Sequence, residues 1–443
     1  MTRTRYLPIL LAAICIALGS SLVGVAAPPN VVMILSDDQA WNDYGFMGHE
    51  TIETPHLDRL ASESLTFRRG YVPTSLCRPS LATIITGLYP HQHGVVGNDP
   101  PRPVIEGQPK RRIPSFDPRY VPIRRQFLKH VDAMTTLPDL LSPLGYRSMQ
   151  TGKWWEGKYD RGGFTDGMTI GNRAKGGRHG DAGLVIGRKG FSVVDEFLDS
   201  ARKENTPFFL WYAPFLPHTP HTPPKRLLDK YSKRTDSLPM AKYYAMVEWF
   251  DETCGDLMKR IDERGMRDNT IVIYVTDNGW INRKDSSRYA PRSKRSPNEG
   301  GLRTPIMIRW PNHVSPEMNA TDLASSIDLV PTVLSALGQP VPEGLPGINL
   351  LDSDAVSKRN QLFGEIFEHD IVDMDDAIQS LQYRWTIRGK WKLIQPSQRM
   401  SDRSPQLYNV SADPHENQNL AEEQPEMVLQ LQRELNAWWP VSR

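Results

Sequence analysis

The chain is patterned in two styles. Residues 31–35, 207–212, 271–275 and 306–310 are nearly unbroken apolar runs, which predict strands buried on both faces. Between them, apolar positions recur at three- and four-residue spacing over 54–64, 79–88, 136–143, 190–203 and 240–264, which predicts helices. The clearest stripe is Tyr243, Met246, Val247, Phe250, Cys254, Leu257, Met258 and Ile261. Strands alternating with helices predict an α/β sandwich with a largely parallel sheet. Ligands gather beyond the carboxyl ends of such strands, so the residues just after each apolar run are candidates for chemistry.

The tail changes style. Residues 362–368, 383–387 and 391–394 read as short strands, with Arg388-Gly389-Lys390 as a hairpin connection and a last helix over 424–439. This predicts a smaller α+β domain with an antiparallel sheet over 345–443, after a main domain over 28–344. The Pro-rich segments 99–122 and 213–224 are expected to be ordered loops over a site.

Before residue 28 the chain carries Arg3 and Arg5, an apolar run over 7–18, and small residues ending at Ala26 and Ala27. That order is a secretory signal peptide, and the run is short for a membrane-spanning helix. The expected location is periplasmic or extracellular without stable membrane insertion; an uncleaved anchor is the alternative. Cys15 follows Ile14 rather than a small residue, which argues against lipidation. Removing 1–27 takes away two Arg and no acid, so the 53 basic and 51 acidic residues become 51 against 51. A balanced chain of this kind is not expected to bind nucleic acid broadly. Its 443 residues, 39% hydrophobic and 23% charged, exclude a disordered, collagenous or polytopic membrane protein. Two cysteines remain, too few for a disulfide framework; Cys254 belongs to the helical stripe, so packing is expected of it.

Ser36-Asp37-Asp38 follows the first run and Thr276-Asp277-Asn278-Gly279 the third. Hard oxygen groups at two strand ends suit Ca²⁺ or Mg²⁺, and turn formation is the alternative. Ser75-Leu76-Cys77-Arg78-Pro79-Ser80 leads into a helix closed by Gly87. Pro79 suits a first helical turn, and Cys77 at that N-terminus is well seated for a nucleophile; a half-buried structural cysteine is the alternative.

Residues 75–87 resemble the maturation signature of the formylglycine-dependent sulfatases of the alkaline phosphatase-like superfamily, Cys-x-Pro-Ser-Arg and a helix ending Thr-Gly. Residues 30–45 look like the family's opening strand and Asp-Asp pair, and Thr151-Gly152-Lys153-Trp154 like its Thr-Gly-Lys-Trp-His motif. Leu216-Pro217-His218-Thr219-Pro220-His221 resembles its Pro-His-x-Pro segment, and Lys294 stands five residues before Glu299-Gly300-Gly301 as in its Lys-x₄-Glu-Gly-Gly element. Residues 406–421 (QLYNVSADPHENQNLA) resemble its Asp-Pro-x-Glu-x-x-Asn-Leu stretch. The resemblance implies a large mixed, mostly parallel sheet and an arylsulfatase-like sulfuric ester hydrolase. It implies that a maturase oxidises Cys77 to formylglycine, whose hydrate attacks sulfur with one hydroxyl and expels sulfate with the other. Asp37, Asp38, Asp277, Asn278 and the modified Cys77 would hold one Ca²⁺, favoured over Mg²⁺. Lys153 and Lys294 would clamp sulfate, and His218 would serve as acid or sulfate contact.

Two positions depart from the pattern. Leu81 replaces the signature's Arg, with Arg78 as a possible substitute, and Trp155 replaces the His after Lys-Trp. His179, in Gly177-Arg178-His179-Gly180-Asp181, is the candidate replacement, with Arg178 as a neighbouring anion contact; a surface loop is the alternative. His91 and His93 are expected to pack. Basic runs over 99–130 (eight Lys/Arg, three Asp/Glu) and 283–295 (six against one) suit a rim for a sulfated small molecule or glycan, or else are solvated faces. Two other functions stay open: a phosphate or phosphonate ester hydrolase of the same superfamily, and a catalytically impaired protein that binds sulfated glycans.

Overall fold

The run at 31–35 lies at the heart of the sheet. The computed structural model describes residues 27–114, 117–171 and 179–441, so Arg178 and the leader at 1–26 lie outside the described residues. Eight strands form the main sheet: β1 (Asn30–Ser36), β2 (Leu65–Tyr71), β3 (Arg147–Gly152), β4 (Asp166–Gly167), β5 (Phe208–Ala213), β6 (Thr270–Thr276), β7 (Arg303–Arg309) and β8 (Glu317–Ser325). Their order is β8-β2-β7-β6-β1-β5-β3-β4. Only β7 runs against its neighbours, so the sheet is mixed and mostly parallel.

The principal helices are α1 (Pro55–Ser62), α2 (Cys77–Thr86), α3 (Leu137–Leu141), α4 (Ser192–Glu204), α5 (Leu238–Glu263), α6 (Leu329–Ala336) and α7 (Pro425–Trp438). Side-chain alternation along β1 shows how they cover the sheet. Val31, Met33 and Leu35 pack with Ile84 and Ile85 of α2, Leu137 of α3 and Val330 of α6. Val32 and Ile34 pack on the other face with Leu57 of α1, Phe197 of α4, and Met246 and Phe250 of α5. Every β1 residue is buried. Burial of each such aliphatic contributes about 1.5–3 kcal/mol, and two-sided burial is why the run shows no polar alternation.

The tail forms the expected antiparallel sheet from β9 (Gln361–Phe367), β10 (Leu381–Arg388), β11 (Trp391–Pro396) and β12 (Gln406–Asn409), in that order. Gly389, at φ +56, turns the hairpin between β10 and β11. Leu362, Trp385 and Ile394 join the α2 side of the main core, while α7 seals the sheet through Val428, Leu431 and Leu435. Cys77 and Cys254 are both free and buried. His91 pairs with Glu365 and stacks on Trp439, and His93 bonds Thr83, so both pack as expected. Among the described residues no helix is long and apolar enough to cross a membrane.

Candidate active site

Four adjacent parallel strands deliver the site at their carboxyl ends: β1 leads to Asp37 and Asp38, β6 to Asp277 and Asn278, β3 to Lys153, and β5 to the loop with His218. Asp38 is held at φ +67, a region that costs a non-glycine residue about 1 kcal/mol or more. Its amide donates to Asp277 Oδ1 at 3.2 Å and its Oδ1 accepts from Asn278 Nδ2 at 2.7 Å. Cys77 comes from the other side as the first residue of α2, a helix buried throughout.

The two lysines stitch these groups together. Lys153 Nζ lies 2.5 Å from Asp37 Oδ1 and 2.9 Å from Asp277 Oδ2. Lys294 Nζ lies 2.5 Å from Asp38 Oδ1 and 3.0 Å from Cys77 Sγ. Ligand atoms of Asp37, Asp38, Cys77 and His218 all fall within 4.8 Å of one another. Among the described residues, Asp37 Oδ2 and Asn278 Oδ1 are buried without a hydrogen-bond partner, and Asp38 Oδ2 has only His218 Nε2 at 3.4 Å. Orphaned, buried oxygens of this hardness fit a divalent cation of the Ca²⁺/Mg²⁺ kind. Three carboxylates against two ammoniums leave one formal negative charge; a bound divalent cation would turn it into one positive charge, matched to an anionic ester.

Burial opposes ionisation of Asp38, but Lys294, His218 and Lys153 outweigh it and hold the acid below the usual carboxylate range. Asp277 goes the other way, to about 7, because burial dominates and Asp37 and Asp38 add to it against Lys153. Burial likewise pushes the Cys77 thiol up to about 11, despite Lys153 and Lys294. As an unmodified thiol, Cys77 is therefore protonated at neutral pH, and the helix N-terminus does not suffice to make a thiolate. His218 Nδ1 donates to Thr219 O at 2.5 Å, so the neutral ring presents a lone pair at Nε2. Burial lowers its pKa, with Asp37 and Asp38 pulling it back.

A cavity of about 590 Å³ opens over this cluster. Cys77, Lys294, His218, Thr219, His179 and Trp155 line its inner part, and Trp280, Arg283, Arg288, Tyr289 and Arg295 come from the loop after β6. Ser287, Asn98 and His369 complete it, the last just beyond β9. Arg283 pairs with Asp285, whereas Arg288 and Arg295 have no acidic partner among the described residues. The basic run at 283–295 thus lines the cavity. None of the described residues of 99–130 does; Arg124 is buried and holds the carbonyls of Asn98 and Trp155.

Residues 29–339 match the family model "Sulfatase", which spans more than half of the chain. The chain belongs to the sulfatase family. Residues 291–438 also match "N-sulphoglucosamine sulphohydrolase, C-terminal". Human arylsulfatase A is 28% identical over 92% of this chain and 86% of its own length. An N-acetylgalactosamine-6-O-sulfatase of Bacteroides thetaiotaomicron is 24% identical over 91% of each. The crystal structure of Ps i-CgsB in complex with k-i-k-neocarrahexaose shares the fold, with a TM-score of 0.73, 22% identity and 94% of both chains covered.

In this sulfatase the two departures are a single packing unit. Leu81, one turn into α2 from Cys77, and Trp155 both belong to the α2-side core and line one small void with Ala82, Ile85 and Met134. Arg78 does not replace the missing guanidinium: it bonds Glu156 at 2.6 and 2.7 Å and lies over the Phe127 ring. His179 does reach the cavity, with its ring centroid 4.5 Å from Trp155 and 6.3 Å from His218. Its loop is drawn there because Trp154 N donates to His179 O at 2.8 Å, and Gly180 passes where a Cβ would stand 2.4 Å from Gly152 O. Asn98 and His369 were not legible as site residues; the only signal was that His369 follows a strand end.

Proposed function

We propose that this sulfatase is exported, binds calcium, and removes sulfate from an anionic glycan through a formylglycine made from Cys77. The observation that carries this reading is the Lys294 ammonium shared between Asp38 and Cys77 Sγ. It ties the side chain to be modified to the carboxylates that would hold the ion. Bound by Asp37, Asp38, Asp277 and Asn278 beside residue 77, Ca²⁺ would lower the pKa of a coordinated hydroxyl and neutralise sulfate charge. Lys153 and Lys294 meet the sulfate oxygens as charge grows on them. His218 faces the leaving oxygen with Nε2 and serves as its acid only once a proton is taken up there, or else as a sulfate contact, and His179 accepts a proton during sulfate release, where Trp155 cannot. Arg178 is an additional anion contact on sequence grounds.

A glycan substrate is supported by the names of the relatives, by Arg288 and Arg295, which have no acidic partner among the described residues, and by Trp280 and Tyr289 as stacking faces. The order of charged, apolar and small residues over 3–27 supports export, with 28–344 as the catalytic domain, 345–443 as its subdomain, and a formylglycine-generating maturase as partner. A second reading, a sulfated-glycan binder of impaired activity, is favoured by the apolar packing of Leu81 and Trp155.

Mass spectrometry of the tryptic peptide that begins at Gly70 and contains position 77, on protein from maturase-bearing cells, separates the two when combined with sulfate release from sulfated oligosaccharides. An aldehyde at position 77 with turnover supports the enzyme. An intact cysteine with glycan binding but no turnover supports the binder, and faster release of phosphate than sulfate would favour a phosphate or phosphonate ester hydrolase.

A further inference from the structure

The stretch at 406–421 has a physical role in the structure, although it contributes no lining residue to the active-site cavity. Lys294 sits on a loop without regular structure whose backbone is forced twice, with Arg292 at φ +57 and Arg295 at φ +66. Non-glycine residues persist there only where their surroundings over-determine them. The surroundings come largely from the C-terminal domain. Arg292 donates through its guanidinium to Glu416 O and to Asn417 Oδ1. Downstream of Lys294, Glu299 N donates to Glu416 Oε2 at 2.8 Å. Lys392 of β11, fully buried, lies 3.0 Å from both Glu299 Oε1 and Glu416 Oε1. Tyr71 donates to the other Glu299 oxygen at 2.9 Å.

The glycines after Glu299 transmit this hold. A Cβ on Gly301 would stand 2.3 Å from Ser293 O, and one on Gly300 2.6 Å from Arg292 O. Gly279, next to Asn278, donates to Gly301 O at 2.8 Å. The Lys294 loop, the Glu-Gly-Gly turn and the Asp277–Asn278 loop are therefore stacked backbone on backbone, with Glu416 and Lys392 bracing the stack.

We propose that Glu416 and Lys392 are positioning residues for Lys294: the C-terminal domain sets where that ammonium stands, and so how it meets the sulfate. The inference rests on the sulfatase reading for what Lys294 binds. It predicts that Glu416 acts through Lys294 rather than beside it. A double-mutant cycle isolates such coupling.

The cycle uses full-length protein from maturase-bearing cells with Glu416→Gln, Lys294→Met and the double substitution, each checked for cooperative melting. Its two readouts are kcat/KM on one sulfate ester and calorimetric affinity for inorganic sulfate. A displaced ammonium should lower kcat/KM on the order of 10- to 100-fold in Glu416→Gln. In the Lys294→Met background the same change should have no effect beyond about 2-fold, and sulfate affinity should follow the same pattern. Equal losses in both backgrounds, or no loss with Lys294 present, overturn the proposal. If wild type releases no sulfate from any ester, the sulfatase reading fails on its own, and the sulfate-affinity cycle still decides the positioning role. Should Glu416→Gln not fold, Arg292→Met, which changes an exposed side chain, carries the same cycle with the same criteria.

Discussion

Arg78 and Glu156 meet in a buried bidentate ion pair one residue from Cys77, with the Arg78 side chain fully buried and that of Glu156 5% exposed. Removing one partner strands the other charge without solvent. Glu156→Ala should therefore destabilise the fold by about 3–5 kcal/mol. Arg78→Met combined with Glu156→Leu should lose much less, because neither charge is then left behind. Denaturant unfolding of the two variants checks this, and an equal loss in both would mean the pair is not what holds the α2 N-terminus.

The acidic cluster should make stability depend on a cation. A metal that binds only the folded chain, present at 100 times its Kd, adds about 2.7 kcal/mol. Chelation should lower the melting temperature accordingly, and re-addition of Ca²⁺ should restore it. Asp277→Asn should abolish most of that response. Melting that ignores verified metal removal would count decisively against the four-residue site.

Cys77→Ala should bring sulfate release down to the background while leaving the melting curve close to wild type, since the change loses one small buried group. His179→Ala should instead lower kcat by about 10²–10⁴-fold with little change in KM. A burst of released alcohol approaching one per active site should precede the slow steady state. An effect on KM alone would make His179 a substrate contact and leave the base elsewhere.

The acid limb of stability should contain His93. Its Nδ1 accepts from Val95 N at 3.1 Å, so Nε2–H donates to Thr83 Oγ1 at 3.1 Å, and the ring is buried. Burial, with smaller contributions from His91 and Arg78, depresses its pKa from 6.5 to about 3. The unfolded chain then binds this proton first as pH falls. The stabilisation is complete above about pH 6.5 and is lost on descending towards pH 3, by up to about 1.4 kcal/mol per pH unit. His93→Gln should flatten the melting temperature across that window. A profile as steep as wild type would assign the acid limb to other groups.

The strands that the sequence made plain are those buried on both faces. β1, β5 and β6 are apolar throughout because nothing in them meets water. β3 reads Arg-Ser-Met-Gln-Thr-Gly and escaped notice. Its polar side chains are satisfied internally, with Thr151 Oγ1 on Trp211 O and Gln150 Nε2 on Gly152 O, which conceals a buried strand behind a polar spelling. β8 was hidden for a different reason: it is an edge strand whose first half is largely exposed. In the site, motif residues at strand ends were legible because turn-adjacent Asp, Asn and Lys stand out after apolar runs. Packing of Leu81 on the Trp155 side of the core, and the arrival of His369 from the second domain, depend on contacts across long sequence separations. No local pattern encodes those.

The position of the cavity between strand ends and loops divides the enzyme's labour. Its inner groups stand on a rigid parallel sheet and on a helix with every residue buried, where a change of even one methylene is felt. Arg283, Arg288, Tyr289 and Arg295 stand on an irregular loop that meets solvent. Substitutions can rewrite that loop while the groups on the sheet and on α2 stay fixed. One scaffold of this design can change which sulfate ester it admits by exchanging its lip and keeping its throat.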